Sequence, residues 1–139
     1  MEKETKILLL THGGWGMQLV ESLGMILGKV SCTHEIPLKA EYNFSEYYEK
    51  VLSYVNTISE NSLILTDLFG GTTSNVAAKI GKDTGIKVLS GLSSPLLLEA
   101  CSQLQFQGVI DFEAVLKVGE ESCKDVVKEI IQQMKKGEK

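Results

Sequence analysis

The chain has 139 residues, with 14 Lys and Arg against 18 Asp and Glu, for a net charge of −4. That balance provides no basic face for nucleic acid or an anionic membrane, and the length suits one domain, 1–139, with room for one site of moderate size. The amino terminus mixes acids with lysines ahead of a short apolar run, and no later segment reaches the length of a membrane span, so the expectation is a cytoplasmic protein.

The first apolar run, Lys6 to Thr11, reads as a strand, followed by a glycine-rich turn and a helix from Trp15 to Leu27. Met17, Leu19, Val20, Leu23, Ile26 and Leu27 share one helical face, and Gly28 supplies the stop. Val30 to Ile36 alternates Val30, Cys32, His34 and Ile36 against Ser31, Thr33 and Glu35, as in an outer strand with unequal faces. His34 and Cys32 on one strand face read as ordinary packing rather than a metal pair.

Asn43 with Glu46 three positions on predicts a capping box, opening a helix with Phe44, Tyr47, Tyr48, Val51, Leu52 and Val55 as its apolar stripe. The third strand, "SLILT" from Ser62 to Thr66, is an uninterrupted apolar run of the kind buried on both faces of a parallel sheet. A helix from about Ser74 to Thr84, a strand Lys87 to Ser90 and a helix from Pro95 follow. From Asp111 the pattern is again helical, with Val126, Val127, Ile130, Ile131 and Met134 aligned. Cys32, Cys101 and Cys123 form no CxxC pair and read as reduced thiols, half or fully buried, so neither disulfide, metal nor cofactor is expected.

Strands alternating with helices make an α/β protein with a mainly parallel sheet and helices on both faces. Three strand exits carry polar turns, "THGG", "DLFGG" and "GLSSP". In a doubly wound sheet, ligands sit at carboxyl strand ends where the strand order reverses. A 2-1-3-4 order makes strands one and three neighbours, and His12 then faces Asp67.

A carboxylate that accepts from one imidazole N–H fixes the tautomer and leaves the other nitrogen free as a nucleophile. The first turn of the following helix offers unpaired amides to a phosphoryl group on that nitrogen. Gly13, Gly14, Gly70 and Gly71 permit close backbone approach, while Thr72 and Thr73 add hydroxyls. Singly, a histidine in such a turn or an aspartate before Gly-Gly is commonly a surface or turn residue; the joint placement points to a transient phosphohistidine. Trp15 and Phe69, beside these groups, read either as core or as exposed anchors for a docking protein.

At "THGGWGMQLVESLGMILG", "ILTDLFGGTTSNVAAKI" and "VLSGLSSPLLLEA", the chain resembles the IIA component of the mannose/fructose/sorbose family of the bacterial phosphoenolpyruvate-dependent sugar phosphotransferase system. The resemblance covers essentially the whole chain. It implies a flavodoxin-like domain in which His12, paired with Asp67, receives a phosphoryl group from the phosphocarrier HPr. The group then passes to a cognate IIB component, and indirectly to membrane IIC and IID components. The resemblance also implies a homodimer that exchanges a short carboxy-terminal edge strand, although the periodicity of this tail reads as helix. The family commonly has Gly-Gly-Ser-Pro where this chain has Gly70-Gly71-Thr72-Thr73. Thr72 keeps the hydroxyl, and loss of the proline restores an N–H.

Two other readings compete. The phosphoryl carrier subunit of phosphoenolpyruvate-dependent dihydroxyacetone kinase has a similar histidine turn but usually lacks the double glycine. A non-catalytic flavin- or nucleotide-binding module would suit the phosphate loop, yet nothing in the chain specifies a ring. An α/β-hydrolase, suggested by "HGGWG", is discounted because the chain has no GxSxG elbow.

Overall fold

A computed structural model describes residues 2–137; the outermost residues of the expected 1–139 domain lie outside the described residues. Four strands, β1 (Ile7–His12), β2 (Thr33–Leu38), β3 (Leu63–Thr66) and β4 (Lys87–Leu89), form an all-parallel sheet in the order β2-β1-β3-β4. Six helices accompany it: α1 (Gly16–Leu27), α2 (Phe44–Val55), α3 (Thr72–Thr84), α4 (Ser94–Gln107), α5 (Phe112–Glu121) and α6 (Val126–Gly137). The strand order reverses between β1 and β3, as the 2-1-3-4 expectation required.

The continuous apolar character of β1 and β3 has a direct cause. Successive residues face opposite sides of the sheet, and both sides are covered. Ile7, Leu9, Leu63 and Leu65 join a core with Val20 and Leu23 of α1, Leu97 and Cys101 of α4 and Val115 of α5. Leu8, Leu10 and Ile64 join a second core with Tyr47 and Val51 of α2 and Val76 and Ile80 of α3. The sheet centre is therefore dry on both faces, and polar chemistry is confined to its ends.

Local signals set several boundaries. The Asn43 side chain accepts from the Glu46 amide at 2.8 Å, and Ser93 and Asp111 cap α4 and α5 in the same way. β2 begins three residues later than its alternation suggests, because its pairing with β1 runs from Ile7↔Thr33 to His12↔Leu38. α3 begins at Thr72 rather than near Ser74. Along α1, Val20 and Leu23 are buried, whereas Met17 and Ile26 of the expected stripe are exposed. Phe44 is likewise exposed on α2.

At the carboxy-terminal end the helical pattern that begins at Asp111 forms two helices, α5 and α6, separated after Glu121, and the tail is helical as its periodicity reads, with no edge strand within the described residues. None of the residues of α6 is buried, and Val126, Val127, Ile130, Ile131 and Met134 are all exposed. Cys123 is also exposed, in the α5–α6 connection, whereas Cys101 is buried and Cys32 half-buried. His34 stacks on Tyr54 with ring centroids 4.0 Å apart, a packing role. Among the described residues no helix is long and apolar enough to cross a membrane.

The Tyr47 hydroxyl, on a fully buried side chain, donates to the Ile36 carbonyl at 2.6 Å and ties α2 to β2. Tyr47→Phe removes this tie while the Ile36 carbonyl keeps its place in the β1–β2 ladder, and is expected to destabilise the protein by about 0.5–1.5 kcal/mol, measured by urea unfolding.

Candidate functional site

The end of β1 places His12 beside Asp67, which follows β3 directly. The Asp67 amide bonds to the Leu10 carbonyl at 3.1 Å, and the Gly13 amide bonds to Leu38 O at 3.1 Å, so both loops leave the sheet in fixed directions. Gly13 and Gly14 have φ of 80° and 93°, a left-handed turn that favours glycine and steers the chain from β1 into α1.

Asp67 Oδ2 accepts from the His12 amide at 2.6 Å and lies 2.7 Å from His12 Nδ1. Its Oδ1 accepts from the Thr73 hydroxyl at 2.9 Å and from the Leu68 amide at 3.0 Å. Burial pushes the Asp67 carboxyl up, but the hydrogen bonds from the His12 amide and ring and from Thr73 outweigh it and hold the group below the ordinary 3.8. An ionised carboxylate can only accept, so Nδ1 carries the proton in the neutral ring and Nε2 keeps a free lone pair. The His12 side chain is 47 % exposed and that of Asp67 only 5 %, so the nucleophile is presented while its partner is enclosed.

His12 opens on a cleft of about 660 Å³ lined also by Gly13, Leu38, Lys39, Ala40, Glu41, Tyr42 and Thr72. Of the phosphoryl-binding candidates, Gly13 and Thr72 line this cleft; Gly14, Gly70 and Gly71 shape its flanking loops without lining it. Gly71, at φ 84°, precedes α3, whose amino end has no side-chain cap. The first α3-associated amide to find a carbonyl is that of Asn75, bonded to Gly71 O at 3.0 Å. The amides of Thr72, Thr73 and Ser74 thus remain as donors at the cleft's edge.

The amino end of α1 corrects an expectation. Its first amides are not open to a ligand: Gly16 and Met17 donate to the Glu35 carboxylate at 2.7 and 3.1 Å. Glu35, Lys39 and Tyr42 were not singled out by sequence. The strand alternation contained Glu35 but could not separate a solvent-facing acid from one capping a neighbouring helix. Lys39 follows β2 and had no motif to mark it. Thr73, which stands where the family commonly has proline, is buried and supplies a hydrogen bond that proline could not.

Trp15 and Phe69, 43 % and 88 % exposed, are surface groups on the two loops, joined by exposed Leu68 and Met17. Among the described residues no group of three or more His, Cys, Asp or Glu is placed to hold a metal ion. A second cavity, about 380 Å³, lies among Thr5, Ser62, Lys87 and Ile110 towards the amino ends of the strands, away from His12.

The family model described as PTS system fructose IIA component, PTS denoting the phosphotransferase system, matches residues 6–117. The chain is 29 % identical over 132 residues to the fructose-specific EIIA component of Bacillus subtilis (strain 168), covering 93 % of this chain and 90 % of that one. It is 30 % identical over 96 residues to the sorbose-specific EIIA component of Lacticaseibacillus casei, covering 68 % and 70 %. A crystal structure of phosphotransferase system component EIIA from Streptococcus agalactiae superposes with a TM-score of 0.78 at 26 % identity, covering 89 % and 98 %. With this match spanning both strand-end loops, the chain belongs to the fructose IIA component family of the phosphotransferase system, and so to the phosphoryl carriers of that system.

Proposed function

We propose that His12 Nε2 is the atom that carries the phosphoryl group, accepting it from HPr and passing it to a cognate IIB component, and through IIB serving membrane IIC and IID components in sugar uptake. The observation that carries this reading is the pairing of a half-exposed His12 with an enclosed Asp67 at 2.7 Å. In the first transfer the Nε2 lone pair forms a P–N bond as the P–N bond to the donor's histidine breaks, and the donor nitrogen leaves with its lone pair. Asp67 holds the Nδ1 proton in place and stabilises the positive charge that the ring gains.

The arriving dianion meets the unpaired amides of Thr72, Thr73 and Ser74, the Thr72 hydroxyl and the Gly13 turn, while Gly14, Gly70 and Gly71 keep side chains out of its approach. Trp15 and Phe69 provide apolar contact for partners that dock and leave in turn. The whole chain acts as one cytoplasmic domain that needs no metal or cofactor. The fructose and sorbose names of the curated relatives favour the sugar branch over dihydroxyacetone kinase; assaying IIB against the kinase as acceptor separates the two.

His12→Ala is expected to fold normally and to take no label from phosphoenolpyruvate, Enzyme I and HPr, whereas the wild type gives an acid-labile, alkali-stable label at His12. Labelling of the variant at the wild-type level overturns the assignment.

Asp67→Asn has one acceptor oxygen where the carboxylate accepts four hydrogen bonds, and it brings an NH₂ against groups that donate. Phosphoryl transfer should slow by about ten- to a hundredfold, the loss of a charge-assisted hydrogen bond of about 1.5–3 kcal/mol. The acid limb of stability gives a second measurement. A folded-state pKa depressed below 3.8 makes the Asp67 contribution complete above that value and lost as pH falls through the lower one. Urea unfolding between pH 5 and 2 should therefore show an acid loss in the wild type that Asp67→Asn lacks.

The exposed stripe of Val126, Val127, Ile130, Ile131 and Met134 on α6 supports a homodimer, since an apolar face of this length needs a cover. Sedimentation at micromolar concentration is expected to give a dimer that Ile130→Asp dissociates.

A further inference from the structure

Glu35 sits opposite Leu9 in the β1–β2 register, and strand alternation turns its side chain towards α1. There its carboxylate gathers three donors from the two sides of the histidine turn. The Thr11 hydroxyl, one residue before His12, donates to Oε2, as does the Gly16 amide; the Met17 amide donates to Oε1. The contact is close enough that a Cβ on Gly16 would lie 2.6 Å from Oε2. The residues between these anchors, His12 to Trp15, carry two left-handed glycines, Gly13 and Gly14; the Gly13 amide bonds to the Leu38 carbonyl, Asp67 holds the His12 amide and ring, and the Trp15 carbonyl accepts from the Leu19 amide.

A second consequence concerns charge. The amino ends of α1 and α3 both point at this end of the sheet, and each would attract an anion. Glu35 fills that of α1 with a resident carboxylate, whereas α3 has no side-chain cap. A dianion on His12 is repelled by the occupied terminus and drawn to the open one.

We propose that Glu35 is a positioning residue for phosphoryl transfer: it clamps both ends of the His12 turn and withholds the Gly16 and Met17 amides, so that the phosphoryl group is directed to the amino end of α3. This rests on the reading that His12 is the phosphorylated residue.

The test uses the full-length, ¹⁵N-labelled protein and Glu35→Gln, which keeps the side chain's shape but offers one acceptor oxygen in place of two. Both are phosphorylated with phosphoramidate, whose P–N bond breaks as the bond to His12 forms and ammonia leaves. In the wild type, the amides of Thr72, Thr73 and Ser74 should shift on phosphorylation while Gly16 and Met17 stay nearly still. In Glu35→Gln, Gly16 and Met17 should respond as well, and kcat for transfer from phospho-HPr should fall about ten- to a hundredfold with little change in KM, because the turn is misplaced while the docking surface is intact. Equal responses of Gly16 and Met17 in the two proteins, or an unaltered kcat, overturn the proposal.

Absence of any phosphoramidate product on wild-type His12 would instead sink the phosphohistidine reading. The clamp is then judged on the unmodified proteins: Glu35→Gln should lower the hydrogen-exchange protection of the Gly16 and Met17 amides at least about tenfold, and unchanged protection overturns it. If Glu35→Gln does not fold, Thr11→Val, which removes one of the three donors, carries the same expectations in weaker form.

Discussion

The carboxylate of Asp67 is the point on which this end of the molecule depends. It sits just past β3, and one of its oxygens takes both the backbone and the ring N–H of His12 at the end of β1. The other oxygen takes the Thr73 hydroxyl and the Leu68 amide, so the acid is joined to two loops and one helix by four donors. A buried carboxylate with unfilled acceptors would drift towards its neutral form; this one has enough donors to stay ionised despite enclosure. The tautomer of His12 follows from that ionisation, and the free nitrogen follows from the tautomer.

Such a contact requires β1 and β3 to be adjacent and rigid. Both conditions come from the sheet, whose central strands are wholly apolar from Ile7 to Leu10 and from Leu63 to Leu65 and are packed on both faces. The dry centre also explains where polarity can appear: a polar side chain within these strands would lack partners, whereas at their carboxyl ends loop amides and helix termini are available. Thr11 and Thr66, both buried at that boundary, use their hydroxyls on Glu35 and on the Leu68 carbonyl.

Two acids divide the work at the site. Asp67 meets the imidazole, and Glu35 meets the backbone that carries it. The amino end of α1 is thereby capped by a carboxylate, while that of α3 has no side-chain cap. Trp15, Leu68 and Phe69 stay exposed and leave an apolar surface on the loops beside His12.

Periodicity and local chemistry were enough to determine the class of fold, the central strands, the Asn43 cap and the candidate pair of His12 and Asp67, because each depends on residues near one another in sequence or on the single pattern of a strand buried on both faces. The family resemblance added the implied phosphoryl transfer. What the sequence could not determine was which helix terminus remains open. That depends on Glu35, which lies 19 residues from Gly16 and meets it only because β2 pairs with β1 in one register. The role of Thr73 likewise emerged only when α3 packed against the Asp67 loop. The break between α5 and α6, and the exposure of α6 along its whole length, were also decided in three dimensions: helical spacing specifies an apolar face, but only packing decides what covers it.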